Sequence, residues 1–425
     1  MTNDSSFGTR RTRAKRGTIS RRGFLGGAMA AGASASSFGV LRAAAADEPA
    51  PAANPGKLKR KIKLGVIGNG GRGAWIAKLF RKHGGYEIRA VADYFQTVAD
   101  KCGDALGVDK SRRFSTLSGY RKVIESGVEA VALEAPPYFF PEHARAAVEA
   151  GLHVYMAKPV AVDVPGCLEI EAAAKKAAAK RRCFLVDYQI PTDPHNIEVM
   201  KRVGAGEIGP VAAVHTHYFS RCFADPPFTA NLESRLRRLV WVNDNALGGS
   251  YHGNACIHAV DAGLWVTGGQ PISAMGVSRR MREDPHGDSH DTYSILFEFP
   301  DGLTISHRGK HLDNLTGFNV VCQIQGRTGH AQTGYGGQAF VKSKGNGYDG
   351  EMKNLYEAGT VRNIATFYQN VIEEDCKNPS VRRSVDGALT TILGREAAAR
   401  HTRLTMEALL EENKRLEVDL RGLKS

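Results

Sequence analysis

The apolar run His153-Val154-Tyr155-Met156-Ala157 ends on Lys158 and Pro159. A lysine there is either a solvated strand end or an ammonium aimed at a ligand, because parallel sheets bind their ligands beyond the carboxyl ends of the strands. Farther along, Asn254 and His258 stand four residues apart, which places both on one helical face, where an amide can orient an imidazole. With an ordinary pKa near about 6.5, an imidazole suits general-base work. Asp261 follows and can orient the histidine or cap local structure. A third group is Gly68-Asn69-Gly70-Gly71-Arg72-Gly73, a G-x-G-x-x-G string with Asp93 about 20 residues beyond it. Glycines so spaced allow a tight turn, close approach of backbone to a pyrophosphate and close packing of helix on strand. A carboxylate at Asp93 can accept hydrogen bonds from ribose hydroxyls and repels a 2′-phosphate, so NAD is expected over NADP. Arg72 and Arg89 are the cations that would recruit a phosphate were NADP used.

These residues need elements to hold them. From Lys61 short apolar runs alternate with helical stretches through "IKLGVIG", "YEIRAVAD", "EAVALEA", "HVYMA" and "CFLVDYQ", the grammar of an α/β, doubly wound parallel sheet of Rossmann type. Beyond residue 190 a helix over "PHNIEVMKRVGAG" leads into longer strands, among them "SAMGVSRRM", "DTYSILFEFPDG", "LTISHRGKH" and "FNVVCQIQG". They predict a second, α+β domain with an open, mainly antiparallel sheet, closed by a helical tail over "TMEALLEENKRLEVDL". The expected division is a leader over 1–46, a Pro- and Ala-rich linker over 47–60, a nucleotide-binding domain over 61–190 and a substrate and oligomerisation domain over 191–425.

The net charge of +13 on 425 residues invites a nucleic-acid reading, yet eight of the basic residues lie in 1–46 against one aspartate. The remainder lacks a basic stripe interleaved with aromatics, so nucleic acid is not an expected partner. Ser20-Arg21-Arg22-Gly23-Phe24-Leu25, a glycine-rich apolar run and then "RAAAAD" have the order of a secretory signal and resemble a twin-arginine export signal. That run is too short and glycine-rich to span a bilayer, so an exported, periplasmic enzyme without a membrane anchor is expected, with the export machinery as a partner. Seven cysteines with no C-x-x-C pair form neither a disulfide framework nor a zinc pattern, and no metal is expected.

Several segments together, "KLGVIGNGGRG", "ALEAPPYFFPEHARAAVEAGLHVYMAKPVAV", "GEIGPV" and "GGSYHGNACIHAVDAGLWVTG", resemble the glucose-fructose oxidoreductase and inositol dehydrogenase family, Gfo/Idh/MocA. The resemblance implies that Lys158 hydrogen-bonds a substrate hydroxyl and assists proton movement, with His258 as its partner. Two positions depart from the family pattern: Ala157 replaces a usual glutamate, and Asn254 replaces an aspartate. The same resemblance sets Glu134 and Pro136 against the cofactor and Gln189 near the substrate. Tyr251 and His252, just upstream of His258, are further candidates for substrate contact.

The leading expectation is an NAD(P)-dependent oxidoreductase acting on a secondary hydroxyl of a sugar, cyclitol or derivative, as a homo-oligomer. An exported enzyme meets no nicotinamide pool, so tight cofactor binding is expected. Two alternatives stay open: a redox-neutral glycoside hydrolase or lyase that retains NAD, and a non-catalytic nucleotide-binding protein.

Overall fold

The computed structural model describes residues 58–223, 232–237, 239–282, 287–345 and 347–425. The expected leader, and the linker up to residue 57, lie outside the described residues.

Each apolar run of the first half becomes a strand: β1 (Ile62–Ile67), β2 (Tyr86–Ala92), β3 (Arg113–Phe114), β4 (Ala130–Leu133), β5 (His153–Ala157) and β6 (Phe184–Asp187). All pair in parallel, in the order β3-β2-β1-β4-β5-β6. β4 and β5 are buried along their whole length, as strands covered by helices on both faces must be. The order reverses between β1 and β4, so the connections leave on opposite faces there and open a crevice beyond the carboxyl ends. The edge strand β3 was not expected; two residues carry no periodicity to read.

The second sheet comprises, among the described residues, β7 (Val211–Ser220), β8 (Ser273–Arg279), β9 (Thr292–Glu298), β10 (Thr304–His311), β11 (Asn319–Gly326), β12 (His330–Gly334), β13 (Gly337–Lys342), β14 (Tyr348–Met352) and β15 (Leu404–Thr405). Their order is β14-β13-β12-β11-β7-β10-β9-β8-β15. β7 and β10 run parallel and the other neighbours antiparallel, so the sheet is mixed but mainly antiparallel, as expected. Buried and open positions alternate along β9 and β10, the mark of a sheet packed on one face.

Two long helices, Leu355–Glu373 and Ser380–Arg400, were not anticipated. Ile364, Phe367, Tyr368 and Val371 of the first pack into the core of the nucleotide domain with Phe80, Tyr86 and Tyr155. The chain thus returns to the first domain after the second sheet. The expected helical tail shrinks to Met406–Glu412. Beyond it the chain runs back along the nucleotide domain, with Leu416 N–H donating to Asp163 at 2.8 Å and Leu117 N–H to the Lys424 carbonyl at 3.0 Å.

Candidate active site

The G-x-G-x-x-G string forms the turn from β1 into the helix Gly71–His83. Gly68 has φ +91°, and a Cβ there would lie 2.5 Å from the backbone of Glu134 and Ala135. A Cβ on Gly73 would lie 1.8 Å from the Gly68 carbonyl oxygen, so these two glycines are demanded by strand and helix packing. Gly70 and Gly71 differ: a Cβ on either meets nothing within 4 Å. Their bareness leaves room for a ligand at the helix amino terminus, where N–H groups and the helix dipole favour phosphate. Asp93 accepts from Asn69 N–H at 2.8 Å and Phe95 N–H at 3.0 Å. Burial raises its pKa, opposed by those two donors and by Arg237.

A cavity of 340 Å³ runs over this turn, lined by Gly68, Gly70, Gly71, Asp93, Glu134 and Pro136 and roofed by Leu236, Leu239 and Trp241 of the second domain. The orphaned buried Oδ1 of Asn69, the bare glycines and the carboxylate fit a dinucleotide. Arg72 and Arg89, the cations considered for a 2′-phosphate, are engaged elsewhere. Arg89 Nε donates to the Ser126 carbonyl at 3.2 Å and its Nη1 pairs with Glu87 at 3.3 Å.

Arg72 turns into a buried ionic cluster at the sheet's carboxyl end. It pairs with Asp187 at 2.5 Å and Glu134 at 3.3 Å, and donates to the Tyr356 hydroxyl at 2.6 Å. Asn363 closes the cluster with a 2.6 Å bond to Asp187. Burial alone would lower the Arg72 pKa, but Glu134 and Asp187 outweigh it and hold the guanidinium above its ordinary value. Glu134 is pushed up to about 7 by burial, against the pull of Arg72. Neither Asp187 nor Tyr356 was picked out from the sequence; the strand-end position of Asp187, matching Lys158 one strand over, was the available signal.

Lys158 leaves β5 beside this cluster, half-buried, with Nζ donating to the Asn254 carbonyl. Leu133 pairs with Met156 and Asp187 with Ala157, so Glu134 and Asp187 flank the row of Ala157 from either side. Those carboxylates act on Lys158 from neighbouring strands. Burial first, then Arg72, lower the Lys158 pKa; Asp187 and Glu134 oppose them, leaving it at about 7.

His258 lies in the helix Ile257–Thr267, within electrostatic reach of Lys158 and Arg72. Burial, Lys158 and Arg72 push its pKa well below the ordinary value, so the imidazole is neutral. Its Nδ1 is buried with no hydrogen-bond partner. Tyr335, Tyr188 and Tyr218 surround the ring at centroid distances of 5.2, 6.0 and 6.2 Å, and Phe318 packs on Tyr218 and Tyr335. Gln189 is buried and reaches this group indirectly, accepting from the Tyr335 hydroxyl at 2.7 Å.

Several expectations are corrected. Asn254 does not orient His258 through its amide; it serves Lys158 through its backbone carbonyl. The cause is a π-helical turn over His252–Cys256, which breaks the four-residue register assumed for a regular helix. Asp261 does not orient His258 either, since Arg383 engages both of its carboxylate oxygens. Tyr251 and His252 are fully buried and do not face the crevice. The Tyr251 hydroxyl donates to the Lys310 carbonyl at 2.8 Å, and the His252 ring stacks on Tyr293 at 4.9 Å.

Comparison with known proteins agrees with this geometry. Residues 62–185 match the model of the oxidoreductase family with NAD-binding Rossmann fold (GFO_IDH_MocA), and residues 197–332 match the GFO/IDH/MocA C-terminal domain. Inositol 2-dehydrogenase 3 of Saccharopolyspora erythraea is 26% identical over 269 residues, 63% of this chain and 72% of that protein. A glycosyl hydrolase family 109 protein of Streptomyces coelicolor is 26% identical over 259 residues, 57% of this chain and 53% of that one. Among solved structures, an inositol dehydrogenase homolog from Azotobacter vinelandii complexed with NAD+ shares the fold at a TM-score of 0.70 and 18% identity, covering 83% of this chain and all of the other. A fingerprint with bare glycines, a lysine at the crevice and two successive domain matches converge on one conclusion: the chain belongs to the Gfo/Idh/MocA family of NAD-binding oxidoreductases.

Proposed function

We propose that this protein oxidises a secondary hydroxyl of a sugar or cyclitol, with Lys158 as the group that takes the hydroxyl proton. What supports this most is the position of Lys158 at the carboxyl end of β5, between the strand ends that carry Glu134 and Asp187 and next to the cavity that Glu134 lines, where burial lowers its pKa to about 7. A base works best when its pKa lies near the working pH, which favours Lys158 over an imidazole held far below neutrality. When bound, NAD+ supplies the hydride acceptor. Neutral His258 holds the hydroxyl or its neighbour by a hydrogen bond, and the aromatic wall of Tyr218, Tyr335 and Phe318 gives a pyranose or cyclitol ring an apolar face to rest on. Similarity to inositol dehydrogenases supports this substrate class.

The test is a pH profile of kcat/KM for oxidation with NAD+ and a panel of cyclitols and pyranosides. The acidic limb should fall near the Lys158 pKa, and Lys158→Ala should abolish turnover. Unchanged turnover in that variant would remove Lys158 from the role of base, whereas no turnover by the wild type on any member of the panel would favour the non-catalytic reading.

A second reading is supported by the family 109 relative: transient oxidation with the cofactor retained, followed by loss of a glycosidic leaving group. Sugar release from a glycoside without net NADH would establish it. Export by the twin-arginine route rests on Arg21 and Arg22, and the double substitution to lysine should hold the protein in the cytoplasm on cell fractionation.

A further inference from the structure

The inward face of β10 carries an anomaly. Ile305, His307, Gly309 and His311 alternate toward the helical layer, where a core strand ordinarily sets aliphatic residues. His311 Nε2 accepts from Phe223 N–H at 2.8 Å and its ring stacks on Tyr251 at 4.4 Å, while its Nδ1 is buried with no hydrogen-bond partner and lies 4.0 Å from an Asp291 carboxylate oxygen. His307 has half of its needs met. Its Nδ1 pairs with Thr216 Oγ1 at 2.9 Å, while Nε2 is buried with no hydrogen-bond partner. Close by is His252, fully buried, with neither ring nitrogen bonded. Cys256 completes the group, also fully buried, in space left by Gly309, where a Cβ would lie 2.7 Å from the sulfur. One ligand-type atom from each of the three side chains lies within 4.8 Å of the others.

Two neutral imidazoles packed as core residues would leave three buried nitrogens without partners, a cost that native interiors avoid. We propose that His252, Cys256 and His307 bind one borderline or soft transition-metal ion, Zn2+ or Cu+. Nitrogen and sulfur donors with no carboxylate in the set select such ions over Mg2+ or Ca2+. Donors around a tetrahedral zinc stand about 3.3–3.6 Å apart, so side-chain rotation of about an ångström closes the set. Thr216 supplies the outer support: accepting from Nδ1–H of His307, it fixes the tautomer that points the Nε2 lone pair inward. Binding releases the Cys256 thiol proton to solvent and forms the metal–thiolate bond. A water completes four-coordination for Zn2+, whereas Cu+ is content with three donors.

The ion would tie the π-helical turn His252–Cys256 to β10. That turn also carries the Asn254 carbonyl that receives Lys158, so the metal would be a clamp behind the crevice rather than a participant in it. Sequence spacing hid the set because the third donor comes from a strand of the second sheet.

The full chain, expressed and dialysed, should contain about one equivalent of zinc or copper by mass spectrometry of metals. After exchange with Co2+ its absorption spectrum should show a thiolate-to-cobalt charge-transfer band. Cys256→Ser and His307→Gln should lose both signals, with circular dichroism reporting whether each variant folds. A folded wild-type chain that takes up no metal from Zn2+ or Cu+ solution would overturn the proposal, as would a Co2+ spectrum without the thiolate band. Full retention of metal in the folded His252→Gln, Cys256→Ser, His307→Gln triple variant would equally overturn it, by showing adventitious binding. If the variants do not fold, the wild-type metal content and cobalt spectrum decide alone.

Discussion

Lys158 is held between opposing influences: burial and Arg72 favour the amine, Asp187 and Glu134 the ammonium. Because its pKa lies at about 7, the amine that can accept a proton grows as pH rises through neutrality, and oxidation should rise with it and then level. Lys158→Arg keeps a cation at every working pH and removes the acceptor, so kcat should fall by about 10²–10⁴ with KM much less changed. Glu134→Gln removes a charge that supports the ammonium, so the Lys158 pKa should fall and the acidic limb should move to lower pH. A limb that stays in place would show that Glu134 does not act on Lys158. The lysine was legible in the sequence as a cation ending an apolar strand. Its carboxylates were not, because Glu134 and Asp187 approach through strand register, a relation invisible in residue order.

Within the turn after β1, the four glycines divide by what a Cβ would meet. Gly68→Ala combines a positive φ, costing roughly 1–2 kcal/mol, with a backbone clash, and should lower Tm or prevent folding. Gly70→Ala meets nothing, so Tm should hold while NAD affinity drops by about tenfold or more on calorimetric titration, as the methyl enters space needed by the pyrophosphate. Equal effects of the two substitutions on Tm would contradict this division. The turn was legible because strand, glycines, helix and acid follow in sequence. The segment before His258 was misread because a π-helical turn shifts the phase of every side chain in it, which left Asn254 on Lys158 and sent His252 into the core.

Across the whole molecule, the first sheet was readable because each central strand is a continuous apolar run. The helices Leu355–Glu373 and Ser380–Arg400 were missed because their apolar residues pack on two domains and show no single stripe. Among the described residues no helix is long and apolar enough to cross a membrane. On the open face of the second sheet Met275 and Val277 are 44% and 57% exposed. We infer that a second copy covers them, since exposed apolar patches on a sheet face mark association surfaces. Light scattering should give more than one chain per particle, and Val277→Asp should shift it to a smaller species; a wild-type monomer would contradict the inference.

In this mechanism a secondary alcohol gives its hydride to nicotinamide and its hydroxyl proton to Lys158. The most direct test is a single-turnover reaction of the NAD+-loaded enzyme with a cyclitol or pyranoside substrate, following nicotinamide reduction and substrate oxidation together as pH is varied. One reduced nicotinamide is expected for each ketone formed, with a rate that rises through the Lys158 pKa of about 7 and no reaction in Lys158→Ala. Reduction that is independent of pH across that range, or that persists in Lys158→Ala, would contradict it.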